Sequence, residues 1–352
     1  MNHLTYYGWS EDLLRQKEAS HFKDLPHGRI TVSHKTRYDV VAEEGHFSCE
    51  LTGNMLFGRD PSEYPCTGDW VLFQPLDADK GLIMDMLPRQ KTVFRLKSGT
   101  MSEKQAIAAH VDKAFIVQSL DDNFNVRRIE RFMLQVAEEK IQPVLVLTKS
   151  DLDFDRTEVE SALKHISGKM PLFYTSIQNP GRIEALHEFI QPGETVVFTG
   201  SSGVGKSTLI NALCGGEIFK TATISTSTGK GRHTSTRREM VLMPGGGILI
   251  DTPGIKVFGV TNDDAASLNE VMDFSRYEGQ CRFKDCQHIH EDGCAVIEAV
   301  NRGDIDQGVY ENYLKLRKEA WHFTASVHEK KKQGKSLAKQ VKKVKKNYSK
   351  YR

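Results

Sequence analysis

Gly200-Ser-Ser-Gly-Val-Gly-Lys-Ser-Thr208 is the stretch on which the reading of this chain turns. It fits G-x-x-x-x-G-K-[ST], follows the apolar run Thr195–Thr199 and precedes the helical run Leu209–Cys214. Glycines let successive backbone N–H groups close around phosphate oxygens, and the N-terminus of the following helix adds its positive dipole. Gly200, Ser201, Ser202, Gly203, Val204, Gly205, Lys206, Ser207 and Thr208 together form such a cradle. Lys206 is placed to reach the β- and γ-phosphates, and Ser207 to offer its hydroxyl to Mg²⁺. A plain glycine turn would need neither the lysine nor the strand and helix on its two sides.

Downstream, Asp251-Thr-Pro-Gly254 ends the strand Gly247–Ile250. An acid at the C-terminal edge of a strand near a phosphate loop suits water-mediated Mg²⁺ ligation, and Gly254 is free to hydrogen-bond the γ-phosphate. Upstream, Thr148-Lys-Ser-Asp151 follows the apolar strand Pro143–Leu147. The Asp151 carboxylate can accept two hydrogen bonds from the N1–H and exocyclic amine of guanine, which adenine does not offer. The Lys149 stem can pack over the base. Taken alone, Asp151 serves equally well as a polar cap that starts a helix. Thr175-Ser176, again just after a strand, has the place of a backbone loop contacting the guanine oxygen.

The surrounding texture supports an α/β domain. Lys113–Ser119, Pro143–Thr148, Leu172–Thr175 and Thr195–Thr199 read as strands apolar on both faces. Helical spacing at Arg128–Lys140, Thr157–Ile166 and Ile183–Phe189 separates them. Such alternation indicates a mostly parallel sheet. Before it, Arg29–Ser33, Tyr38–Ala42, His46–Leu51, Asp69–Gln74 and Leu82–Leu87 read as five short strands divided by Gly, Pro, Asp and Asn clusters. Five strands in so short a stretch suggest a small closed barrel of the oligonucleotide-binding (OB) type, or an accessory barrel without a ligand. Residues 1–28 show no committed element.

Cys281-Arg-Phe-Lys-Asp-Cys286-Gln-His288-Ile-His290-Glu-Asp-Gly-Cys294 gathers three thiols and two imidazoles. Three thiolates and one imidazole complete a tetrahedral Zn²⁺ shell with no position left for water, which marks a structural site. Cys49, Cys66 and Cys214 are scattered and read as small core residues. The clustering of the others points to a metal in a reducing cytosol rather than to disulfides.

Composition excludes several classes. The chain has 352 residues, 39% hydrophobic and 27% charged, the balance of a soluble globular protein. No apolar run approaches the roughly 20 residues that span a bilayer, and the first twenty residues carry no secretory h-region. The formal charge of +2 hides an asymmetry. Eleven basic residues and no acid lie between Lys330 and Arg352, so 48 basic against 46 acidic residues become 37 against 46 in the remainder. A body near −9 therefore carries a tail of +11. A lysine-rich end can simply solubilise the chain, but it is also the footprint of phosphate-backbone contact.

The motifs resemble the GTPase signature set in an unusual order. An ordinary GTPase begins with its phosphate loop and ends with its base-reading motif; here residues 148–151 and 175–176 precede residues 200–208, and 251–254 follow. A closed sheet tolerates such circular permutation because chain ends lie at the surface and close together. A permuted GTPase between a small barrel and a Cys/His segment resembles the RsgA (YjeQ) family, bacterial GTPases that depend on the small ribosomal subunit and act late in its maturation. The resemblance runs over about residues 29–330. It departs from the common pattern at Thr148, where many members carry Asn.

The resemblance implies further roles. Cys281, Cys286, His288 and Cys294 match the family's C-x₄-C-x-H-x₅-C pattern, which leaves His290 outside the shell. The polar stretch Thr221–Arg238 becomes the first switch, with Thr234, or else Thr236, sensing Mg²⁺ and the γ-phosphate. Ile255 stands where many GTPases have a water-orienting Gln, and an aliphatic side chain orients no water. Basal hydrolysis should then be slow and completed by a partner, with His233 as a candidate aid within the chain.

The expected organisation is an N-terminal extension (1–28), an OB-type barrel (29–96), a permuted GTPase domain (105–262), a zinc-binding helical region (263–329) and a basic tail (330–352). The expected activity is Mg²⁺-dependent hydrolysis of GTP to GDP and phosphate, stimulated by the small ribosomal subunit. Ribosomal RNA is the expected partner, in the cytoplasm, for a monomer that contacts no membrane. An ATP-using nucleic-acid enzyme is one alternative. An RNA scaffold whose nucleotide only stabilises its fold is the other.

Overall fold

The computed structural model describes residues 3–34, 36–58, 63–96, 104–218, 238–250 and 265–324. The chain divides into two units, Met1–Phe258 and Gly259–Arg352. Where the sequence shows no committed element, the first unit opens with a 3-10 turn at His3–Tyr7 and helix α1 (Glu11–Ala19). The Ser10 side chain accepts the Leu13 N–H at 3.4 Å, and Glu11 and Asp12 occupy the first turn, where the helix dipole favours acids. Only Leu13 of this helix is buried, so it shows almost no apolar stripe in sequence.

Strands β1 (His27–Ser33), β2 (Arg37–Ala42), β3 (Gly45–Leu51), β4 (Trp70–Asp77) and β5 (Lys80–Met86) follow, with the short helix α2 (Gly53–Gly58) after β3. They pair in the order β1-β2-β3-β5-β4, and β4 returns to β1, closing a barrel. The β3–β5 pair is parallel and the others antiparallel. Ile30, Val40, Phe47, Val71, Phe73 and Ile83 fill its interior. The alternate residues that the strands turn inward are the apolar ones, as the two-residue period requires. A hairpin of β6 (Val93–Leu96) and β7 (Lys104–Ala108) leads out of it.

The next elements are β8 (Lys113–Ser119), α3 (Val126–Ala137), β9 (Gln142–Thr148), α4 (Arg156–Leu163), β10 (Leu172–Tyr174), α5 (Pro180–Phe189), β11 (Thr195–Thr199), α6 (Lys206–Cys214), β12 (Arg238–Leu242) and β13 (Ile248–Ile250). Their sheet runs β10-β9-β8-β11-β13-β12, parallel except at β12. Strands β8 and β11 are buried along their whole length, which explains the apolar runs Ala114–Val117 and Val196–Phe198 at their centres. Phe115, Val117, Val146, Val196 and Phe198 on one sheet face pack with Leu186, Leu209 and Leu213 of the helices. From β8 the chain winds outward to β9 and β10, and from β11 it winds the other way. The switch in direction falls between β8 and β11, and the crevice beyond the carboxyl ends of such strands is where open α/β sheets bind ligands.

Barrel and sheet are joined in two ways. Strand β1 pairs with β12 (Val32 opposite Glu239), so the two sheets are continuous. Beside this ladder Arg29 is 1% exposed. Its guanidinium donates to the carbonyls of Tyr7 at 2.5 Å, Gly68 at 3.0 Å and His110 at 3.4 Å, and to the Thr195 hydroxyl at 2.9 Å. One charged side chain thus ties the N-terminal segment, the barrel and the first residue of β11. Burial pulls the Arg29 guanidinium down to about 10, a fall that Asp112 and Asp69 oppose.

The second unit contains α7 (Ala265–Val271), α8 (Ala295–Arg302) and α9 (Gln307–Thr324). Phe274, Tyr313, Leu316 and Ala320 are buried in it. Among the described residues, no helix is long and apolar enough to cross a membrane.

Candidate nucleotide site and metal cluster

The loop expected to hold phosphate leaves β11 and enters α6 at the crevice between β8 and β11. Gly200 lies so close to β8 that a Cβ would collide with the Val117 carbonyl oxygen. Gly205 caps α6 with φ 90°, a left-handed conformation natural to glycine. Gly205 offers no side-chain cap to α6, and its carbonyl accepts the Leu209 N–H at 2.9 Å. The Lys206 ammonium lies inside the loop, donating to the carbonyls of Gly200 at 2.8 Å and Ser201 at 2.6 Å. Ser207 and Thr208 follow on the first turn, partly exposed.

The base-reading segment is brought against this loop. The buried Thr148 hydroxyl donates to the Val204 carbonyl at 2.6 Å and to the Gln118 carbonyl at 3.2 Å. Thr148 thus has a direct tie to the phosphate loop. Lys149 takes a left-handed φ of 57°, and its ammonium pairs with Asp121 at 2.6 Å. Asp151 is exposed, and its Oδ1 accepts the hydroxyl of buried Ser176. Thr175 N–H donates to Leu147 O at 2.8 Å, and Ser150 N–H to Thr175 O at 3.1 Å. Residues 148–151, 175–176 and 200–208, separated in sequence, thus form one continuous rim.

Sequence reasoning missed the loop between β8 and α3, which serves both halves of this rim. Asp121 accepts the Ser119 hydroxyl at 2.6 Å, the Asn123 N–H at 3.0 Å and the Lys149 ammonium. Burial raises its carboxyl, but the bonds from Lys149, Ser119 and Asn123 outweigh it and hold the group below the usual range. Asn123 and Arg128 reach Ser201 and Ser202. Nothing in the pattern Ser119-Leu-Asp-Asp-Asn123 marks these contacts; they exist only once β8 lies beside β11. Asp251 and Gly254, and Thr234 with its alternative Thr236, lie outside the described residues, as do His233 and Ile255.

In the second unit, the Sγ atoms of Cys281, Cys286 and Cys294 and a ring nitrogen of His288 all lie within 4.8 Å of one another. His288 Nδ1 is 3.6 Å from Cys281 Sγ, 3.5 Å from Cys286 Sγ and 3.3 Å from Cys294 Sγ. Metal–sulfur bonds near 2.3 Å and metal–nitrogen bonds near 2.0 Å set at tetrahedral angles give N···S edges of about 3.5 Å. The donor set therefore has the size and chemistry of a closed metal shell. His290 is exposed and outside it. Burial pushes the Cys286 thiol up to about 12, and hydrogen bonds with the Cys294 and Cys281 thiols add to the rise. A bound cation would deprotonate the three thiols and offset the charge of the resulting thiolates.

The surrounding chain holds this loop in shape. Glu291 accepts the N–H groups of Gln287 at 3.1 Å, Ile289 at 2.9 Å and His290 at 3.0 Å. Burial raises its carboxyl, but these backbone bonds prevail and bring it to about 2. From α9, the Tyr310 hydroxyl donates to His288 O at 2.9 Å, and Tyr313 and Arg317 donate to Gln287 O at 2.9 and 3.0 Å. Cys294 is the first residue before α8, so a ligand also anchors a helix.

Known proteins are similar to this chain. Residues 86–261 match a family model described as RsgA GTPase, and residues 195–348 match one described as 50S ribosome-binding GTPase. The second match starts at the first residue of β11, ahead of the phosphate loop. The small ribosomal subunit biogenesis GTPase RsgA 1 of Bacteroides thetaiotaomicron is 62% identical over 345 residues, covering 98% of this chain and 97% of that one. A small ribosomal subunit biogenesis GTPase RsgA of Leptospira interrogans is 35% identical over 325 residues, covering 92% and 89%. The crystal structure of YjeQ from Thermotoga maritima aligns with a TM-score of 0.62 and 28% identity, over 84% of this chain and 98% of that one. YloQ, described as a circularly permuted GTPase, shares the fold with a TM-score of 0.62 and 23% identity, over 87% and 98%. With its permuted sheet, its OB-type barrel and a relative this similar along nearly its whole length, the chain belongs to the RsgA family of GTPases.

Proposed function

We propose that this protein hydrolyses GTP to GDP and phosphate on the small ribosomal subunit, as a step in the late maturation of that subunit. One observation carries the nucleotide part: the Thr148 hydroxyl on the Val204 carbonyl, which sets the base-reading segment beside the phosphate loop at the β8–β11 crevice. Asp151, positioned by Ser176, selects guanine, while Lys149 packs over the base and Ser150, Thr175 and Ser176 shape the base pocket. Gly200, Ser201, Ser202, Gly203, Val204 and Gly205 wrap the phosphates, Lys206 neutralises them, and Thr208 continues the cradle into α6. Ser207 and Asp251 are oxygen donors suited to Mg²⁺, which when bound stabilises charge on the β- and γ-phosphates. Thr234 and Gly254 sense the γ-phosphate, and His233 assists within the chain.

Zn²⁺ is the metal that three thiolates and an imidazole suit best, and one ion per chain on Cys281, Cys286, His288 and Cys294 would keep the second unit folded. The protein acts as a cytoplasmic monomer. Its parts are an extension (1–28), a barrel (29–96), a permuted GTPase domain (105–262), a zinc-binding region (263–329) and a tail (330–352). The acidic body is repelled by RNA over much of its surface, so ribosomal RNA is held through local basic patches and the +11 tail.

Two measurements test this reading. GTP turnover should survive a large excess of ATP and be suppressed by GDP; equal competition by ATP would point instead to an ATP-using enzyme. Deleting Lys330–Arg352 should weaken subunit binding and flatten its salt dependence, by about 0.7–0.9 in log–log slope for each phosphate no longer neutralised. Basal GTP hydrolysis should persist in that deletion. Its collapse would make the tail part of the fold.

A further inference from the structure

Leu120–Asn125, the loop from β8 to α3, touches both halves of the nucleotide rim. At its start, Asp121 pairs with the Lys149 ammonium at 2.6 Å and accepts the Asn123 N–H at 3.0 Å. At its end, Asn123 Nδ2 donates to the Ser202 carbonyl at 3.2 Å, and Asn123 Oδ1 accepts the Ser201 hydroxyl at 3.2 Å. Arg128, on the first turn of α3, locks the arrangement. Its Nη1 lies 2.9 Å from Ser201 Oγ, 3.1 Å from Asn123 Oδ1, 3.2 Å from Asn123 O and 3.3 Å from Gln118 Oε1. Gln118 is fully buried on β8; its Oε1 faces the arginine, and its Nε2 has no hydrogen-bond partner among the described residues.

These contacts form an unbroken chain of charged and polar groups from Lys149, through Asp121 and Asn123, to Ser201 and Ser202. Both ends are charge-assisted, and such bonds are the stronger and more directional kind. We propose that the Leu120–Asn125 loop is a brace that fixes the base-reading lysine and the phosphate loop relative to each other, with Asp121 and Arg128 as its positioning residues. Neither need touch the nucleotide. Asp121 sets where the Lys149 stem lies over the base. Arg128 holds the Ser201 hydroxyl directly and the Ser202 carbonyl through Asn123, where the β-phosphate is wrapped. The proposal rests on the guanine-nucleotide reading above and gives it a residue-level consequence: base selection and phosphate affinity are linked through one loop.

The test is a set of dissociation constants for GDP, GMP and ADP, measured by calorimetry on the full-length wild type, Arg128→Met, Arg128→Lys, Asp121→Ala and the Arg128→Met/Asp121→Ala double variant. Selective GDP binding by the wild type tests the nucleotide reading by itself; the variants test the brace. Arg128→Met should weaken GDP about tenfold or more while GMP changes much less, the scale of one lost charge-assisted hydrogen bond. Arg128→Lys should recover part of that loss. Asp121→Ala should narrow the GDP-to-ADP ratio by about tenfold by the same reasoning. Because both residues act through Asn123, the double variant should lose less than the product of the single losses. A merely destabilised protein would lose binding-competent fraction and leave these ratios unchanged. Unchanged ratios in both single variants, or independent effects in the double variant, would overturn the proposal.

Discussion

Replacing Asp151 with Asn is expected to lower affinity for GDP and GTP by roughly 10²–10⁴, because two charge-assisted hydrogen bonds weaken and a donor is turned towards a donor. In the proposed function the carboxylate would accept from both the N1–H and the exocyclic amine of guanine; the Ser176 hydroxyl donates to its Oδ1 and keeps it oriented. An amide can accept only one of the two. Xanthine presents a carbonyl where guanine has the amine, so the Asp151→Asn variant should gain affinity for XDP as it loses GDP. Calorimetric titration of both nucleotides checks the pair of changes. The phosphate loop is untouched, so residual binding should still depend on the β-phosphate. GDP binding indifferent to this substitution would make Thr148–Asp151 an ordinary strand-to-helix turn.

Cys294→Ser is expected to abolish metal binding and unfold the second unit while the first keeps its nucleotide. A serine hydroxyl is a poor zinc ligand at neutral pH, and a structural zinc contributes about 10–16 kcal/mol to folding in small zinc domains. Most residues between Cys281 and Cys294 are exposed, so the loop has little apolar burial to fall back on. Cys294 also sits at the N-cap of α8, so its loss reaches the helices. Zinc content by mass spectrometry should fall from one ion per chain towards none, with faster proteolysis beyond residue 258. His290→Ala should retain the ion, since His290 is exposed and outside the cluster. A metal-free variant with undiminished helicity and protease resistance would remove the structural role assigned to this site.

Much of this architecture can be read in the sequence because it depends on local patterns. Buried parallel strands are continuous apolar runs, barrel strands alternate, and a phosphate loop needs its glycines within a few residues. The Cys/His cluster falls within one short loop, so spacing nearly determines it. The features that sequence hides are those that distance creates. Arg29 looks like a surface residue of a barrel strand, yet it ends up buried among Tyr7, Gly68, His110 and Thr195, which only the fold assembles. Asp121, Asn123 and Arg128 belong to no motif and acquire partners through β8–β11 pairing. In sequence Thr148 reads only as a departure from the common pattern of a guanine motif, whereas its hydroxyl ties that motif to the phosphate loop. Helix α1 leaves little trace in the sequence because it buries so little.

Turnover should depend on the ribosomal partner. Ile255 occupies the place of a water-orienting Gln, and an aliphatic side chain orients no water, so the isolated protein should be a slow GTPase. The most direct measurement is phosphate release from GTP at saturating nucleotide, with and without purified small ribosomal subunits. The rate should rise well beyond tenfold on adding subunits, within the range of about 10³–10⁵ available when a partner completes a GTPase site. An equal rate with and without subunits, for protein that binds them, would contradict the account and leave a nucleotide-stabilised RNA scaffold in its place.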